Sequence, residues 1–143
     1  MMKSASQVLN DLYKVVQSSL LATSVKGNVY KEGTRPLNSL TEDIVINFVS
    51  GTASQIQTGI VNINVFVPDI DNGSGNMVCN VSRCRDIEGI ATAWIETMLD
   101  DELYSLNLES YRFALDEMMR TMRYEDNKQH LVNIRLKFDY TTF

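Results

Sequence analysis

The 143-residue sequence predicts an α+β fold: a mostly antiparallel sheet with two helices packed on one of its faces. Three observations carry that expectation. Apolar residues recur at three- and four-residue steps in two separate stretches, over residues 5–20 and 87–99. Period-two alternation runs through residues 61–67 and 131–140. The patterns follow one another as helix, three strands, helix, two strands, with no repeat or low-complexity linker, so residues 1–143 read as one domain with one core.

The first helical stripe is Ala5, Val8, Leu9, Leu12, Val15, Val16 and Leu20. Ser4 followed by Gln7 fits a capping box, and Gly27 is expected to close the segment. A short strand is expected over residues 27–32, and a second over 44–49 that ends at Gly51. The third covers residues 56–67, with Val61, Ile63, Val65 and Val67 on one face and Asn62, Asn64 and Phe66 on the other. Pro68 stops it, because proline donates nothing to a ladder.

Residues 69–80, DIDNGSGNMVCN, read as a loop on composition. The second helix follows, with a stripe of Ile87, Ile90, Ala91, Trp94, Ile95, Met98 and Leu99 and with Asp86 as its expected N-cap. The acidic run Asp100, Asp101, Glu102 opposes a helix C-terminal dipole, so the helix should end near Leu99 or be followed by a short capped turn. Residues 111–124 satisfy a helical and a strand pattern at once. The turn at 125–128 and the clean alternation after it favour a long hairpin, 111–124 with 130–141. In its second arm Val132, Ile134, Leu136, Phe138 and Tyr140 point inward and Asn133, Arg135, Lys137 and Asp139 outward.

Composition narrows the function. The net charge of −5 argues against a protein built to grip phosphate backbones. Arg112, Arg120, Arg123, Lys128, Arg135 and Lys137 cluster in the last quarter, but water-exposed strand faces explain them more simply. Cys79 and Cys84 have no second pair, and His130 is the single histidine, so a structural zinc centre is not expected. One disulfide stays open, but the low cysteine density and the absence of a long apolar run indicate a reduced, cytosolic chain without a membrane span.

Catalytic constellations are scarce. Any triad would need His130, which falls beside a turn. GTASQIQTG lacks the Lys-Ser/Thr ending of a P-loop, and GSG at 73–75 lies in no βαβ unit. DIDNGSGN begins like a calcium loop at Asp69 and Asp71. It then places Gly73 where an oxygen ligand is needed, Ser74 where the glycine belongs and Asn80 where the bidentate Glu belongs. No catalytic residue, cofactor or metal is therefore assigned. Two loops, 33–43 and 69–80, are long for a small domain, and such loops are usually functional.

The segments GNVYKEGTRPLNSLTEDIVIN, QTGIVNINVFVPD and HLVNIRLKFDY, with this order of elements, resemble the tail terminator (tail-completion, head–tail joining) proteins of tailed bacteriophages and prophages. The resemblance spans residues from about 3 to 141. It implies a virion structural protein rather than an enzyme, present in the host cytoplasm during assembly and then in the tail or neck. It also implies a homo-oligomeric ring, typically hexameric, that caps the tail tube and joins it to the head connector. Each subunit of such a ring uses two different surfaces. On that reading Arg35, Glu42 and Asp43 are candidates for the subunit interface, with bracing of its own loop an equal alternative for Arg35. Asp69, Asp71 and Asn72 are candidates for the lumen or the tail-tube contact, where negative charge would let DNA pass without specific binding. Two other readings stay open: a monomeric protein-binding module of host-interaction or immunity type, and a metal-dependent hydrolase using Asp69, Asp71 and Asp100.

Overall fold

The computed structural model describes residues 2–100, 111–124 and 128–142. In chain order the elements are α1 (Ala5–Gln17), α2 (Leu20–Ser24), β1 (Val29–Lys31), β2 (Ile44–Gly51), β3 (Ile56–Pro68), β4 (Ile70–Asp71), β5 (Met77–Val78), α3 (Val81–Asp100), β6 (Tyr111–Leu115), β7 (Arg120–Arg123) and β8 (Gln129–Thr141). Six strands form one sheet in the order β1-β2-β3-β8-β6, with β7 also on β8, while β4 and β5 form a separate ribbon. The class is α+β with a mostly antiparallel sheet.

The centre of the sheet is the long β3–β8 pair, in register from Ile56 opposite Thr141 to Pro68 opposite Gln129. Its inward side carries Val61, Ile63, Val65 and Val67 from β3 and Val132, Ile134, Leu136 and Phe138 from β8. These join Ile44 and Ile46 of β2 and the buried sides of α1 and α3 in one core. The alternation read from the sequence explains this face directly. The outward side carries asparagines: Asn133 donates to Asn64 (2.7 Å), and Asn64 donates to Asn47 (3.4 Å). Phe66, on the same side, is nevertheless 6% exposed, because Arg35 lies over its ring (4.0 Å) and Tyr124 meets it edge-on (4.9 Å).

Several expectations need correction. The first helical run is broken in two. Ser18 Oγ donates back to Lys14 O and Val15 O, and the Ser19 side chain accepts from the Ala22 N–H to start α2. The axis therefore changes, Leu20 becomes 68% exposed and Leu21 takes the buried place. Gly27 lies three residues beyond α2 and does not end it. A Cβ there would come within 2.1 Å of Asp43 Oδ1 and 2.4 Å of the Glu42 carbonyl, so glycine is required for close approach. Helix α3 begins before Asp86, where Asn80 Oδ1 accepts from the Arg83 N–H (3.2 Å).

Residues 111–124 are strand, but not one strand. Leu115 faces Leu136 and Arg120 faces Asn133, so four residues of this arm stand opposite two of β8. The surplus cannot pair, and the arm splits into β6 and β7. Residues 69–80 hold the small β4–β5 ribbon. β1 runs parallel to β2. The acidic residues Asp101 and Glu102 and the turn residues 125–127 lie outside the described residues.

Candidate functional site

The two long loops meet at one end of the sheet and enclose a cleft of about 300 Å³ lined by Lys26, Leu40, Thr41, Glu42, Val67, Pro68, Asp69, Ile70 and Asn80. The first loop joins β1 to β2. Parallel neighbours need a crossover of a dozen or so residues, which accounts for its length. The second carries the β4–β5 ribbon, with Ile70 opposite Val78 and Asp71 opposite Met77.

Adjacent carboxylates at the root of β2 hold the first loop from opposite directions. Glu42 accepts a two-pronged contact from Arg83 of α3, Nε to Oε2 at 2.7 Å and Nη2 to Oε1 at 2.9 Å, and Arg83 also donates to Ser24 O. Asp43, fully buried, accepts from Arg35 Nε (2.9 Å), Ser39 Oγ (2.6 Å), Thr41 Oγ1 (2.9 Å) and the Asn28 N–H (3.0 Å). Arg35 further donates to Ser39 O, Thr41 O and Gln129 Oε1. The Arg83 hydrogen bonds hold the Glu42 carboxyl below its ordinary range despite the opposing effect of burial. For Asp43 burial pushes upward, but the hydrogen bonds from Ser39, Asn28, Arg35 and Thr41 outweigh it and the carboxyl also ends below its ordinary range.

The sequence candidates are thus brought together at one end of the sheet, but not in one role. Arg35 braces its own loop, and Asp43 is enclosed beneath it. Asp69 is also turned inward: its Oδ1 lies 2.7 Å from His130 Nδ1. Asp71 and Asn72 shape the ribbon tip. Asp71 Oδ1 accepts from the Gly73 and Gly75 N–H groups, and Asn72 Oδ1 accepts from Ser74. Gly73 and Gly75 adopt φ of +97° and +85°, which the tight tip requires.

Among the side chains these loops leave exposed are several large apolar ones: Leu37 on the first, Leu40 and Ile70 at the cleft, and Met77, Val78 and Val81 on and after the ribbon. Sequence reasoning singled out the charged residues of these loops and passed over the apolar ones. The isolated Leu37 and Leu40 in a polar segment were the available signal, as was the Ile70/Val78 pairing across a Gly-rich tip. Among the described residues, no group of three or more His, Cys, Asp or Glu side chains is placed to hold a metal ion, and no helix is long and apolar enough to cross a membrane.

No protein-family model matches the sequence, and no curated protein matches it. Among solved structures, one protein whose name states no activity aligns with 98% of this chain and 99% of its own at 14% identity, with a TM-score of 0.47. That likeness is too distant to argue from.

Proposed function

We propose that this chain is a structural subunit of the phage tail terminator or tail-completion type, which assembles with copies of itself into a ring, six-membered by the resemblance, that caps the tail tube and meets the head connector. The observation that carries the reading is the loop end of the molecule. Two loops far apart in sequence converge there and present Leu37, Leu40, Ile70, Met77 and Val78 to solvent on a rigid base. Leu40 and Ile70 line the same cleft and Val78 pairs with Ile70, and exposed apolar side chains gathered in this way mark an interaction surface. A two-stranded ribbon as small as β4–β5 gains stability when its apolar side is covered.

The occupant we assign to this surface is the neighbouring copy in the ring. Arg35, Glu42 and Asp43 then act on the interface indirectly, by fixing the loop that bears Leu37 and Leu40. Asp71 and Asn72, at the exposed ribbon tip, are left for the lumen or the tube. The reading makes the protein a virion component assembled in the host cytoplasm, with neither a cofactor nor a sequence-specific nucleic-acid partner.

The test is mass in solution by light scattering across a concentration series, with negative-stain images, for the wild type and for a Leu40→Ser/Ile70→Ser double variant. Rings of about six copies, alone or on added tail tubes, that the double variant fails to form are the expected result. A wild type that stays monomeric and does not cap tubes would overturn the proposal and favour a monomeric binding module.

A further inference from the structure

Cys79 and Cys84 have no role in that assembly reading, yet they are in contact. Their sulfurs are 3.9 Å apart and both are free thiols. The surroundings differ sharply. Cys84 is in the first turns of α3, 2% exposed and within the core, whereas Cys79 is half-buried on the connection between β5 and α3. A disulfide needs the sulfurs at about 2.0 Å, so about 1.9 Å must close. Cys79 lies between β5 and α3, where no helix or strand ladder fixes its backbone, while Cys84 is within α3.

We propose that Cys79 and Cys84 form a reactive dithiol that closes to an intramolecular disulfide by exchange with a low-molecular-weight disulfide. Cys79, the accessible sulfur, gives its proton to water and attacks one sulfur of the small disulfide as the thiolate; that S–S bond breaks, and the small thiolate that leaves takes up a proton. The mixed disulfide on Cys79 then stands against Cys84. Cys84 gives its proton to the departing group, its sulfur bonds to that of Cys79, and a second small thiol is released. The protein pair is oxidised by two electrons and the small disulfide is reduced to two thiols.

Burial, first of all, pushes the Cys84 thiol up to about 12, with Cys79 adding to the effect, so Cys84 stays protonated and does not react ahead of its neighbour. Closure would tie the C-terminal end of the second long loop, at the root of the β4–β5 ribbon, to the helix turn whose Arg83 grips Glu42.

The experiment is intact-mass analysis of the full chain, freed of reductant and incubated with oxidised glutathione, followed by alkylation of residual thiols after denaturation. The expected product has lost two hydrogens, carries no glutathione and offers no thiol to the alkylating agent. A Cys84→Ser variant should instead accumulate a lasting glutathione adduct on Cys79. A stable glutathione adduct on the wild-type chain, a disulfide-linked dimer, or an unchanged mass with two alkylated thiols would each overturn the proposal. Because the wild-type masses decide the matter, poor folding of the variant leaves the test intact.

Discussion

Arg35 makes four side-chain hydrogen bonds, to Asp43, Ser39, Thr41 and Gln129, and covers Phe66. Replacing it by glutamate would set a second carboxylate against the buried Asp43 and strip the ring of its cover. Arg35→Glu is therefore expected to lower stability by roughly 3–5 kcal/mol, the range for breaking a buried pair. Urea denaturation reads this directly, and an unshifted midpoint would show that the loop is not held through this residue. Spacing alone left bracing and docking equal for Arg35, because it takes tertiary placement to bring Gln129, 94 residues away, within 3.0 Å. Gly27 is a similar case. A glycine just past a helical pattern reads as a stop signal, and the carboxylate packed on its Cα comes from residue 43.

At the scale of elements, what the sequence made legible was periodicity against the core. The α1 stripe from Val8 to Val16, the β3 and β8 alternation and the α3 stripe from Ile87 to Ile95 each reflect burial on one side only, and each lies where the pattern placed it. The misses are register and direction. Nothing in residues 111–124 announces that two of them are surplus to β8, and nothing in residues 29–31 distinguishes a parallel from an antiparallel neighbour. Two adjacent serines were the one local clue to the α1–α2 break. Ser19 Oγ donates to Val16 O at 2.6 Å and accepts from the Ala22 N–H at 3.3 Å. Ser19→Ala removes both and is expected to cost about 1 kcal/mol, as for other N-caps, with the thermal midpoint as the readout. No loss would mean that packing of Leu21, rather than the cap, sets the break.

The whole molecule should respond to acid through the same end of the sheet. Glu42 and Asp43 both have carboxyls held below the ordinary carboxylate range that they regain on unfolding. A depressed folded pKa contributes stability that is fully present above the unfolded value and is lost as pH falls through the folded one. The thermal midpoint is accordingly expected to be level from neutral pH down to about 5 and to fall below that. A midpoint that holds steady down to pH 3 would contradict the carboxylate network. The charged partners of these two groups lie on α3 and on the first loop, so acid should loosen the loop end first; amide exchange across the pH series resolves that order.

The pairing of β3 with β8 has a consequence for the order of events during synthesis. The two strands at the centre of the sheet are 61 residues apart even at their nearest matched positions, Pro68 and Gln129. While the ribosome works through the intervening segment, β2 and β3 can form their hairpin, but one long edge of β3 has no partner. That edge is a template for any other extended chain, including a second nascent copy. Closure of a loop this long also slows the search, so the interval is extended further. The Asn62 and Asn64 side chains on the outward side of that edge lower its stickiness while it waits.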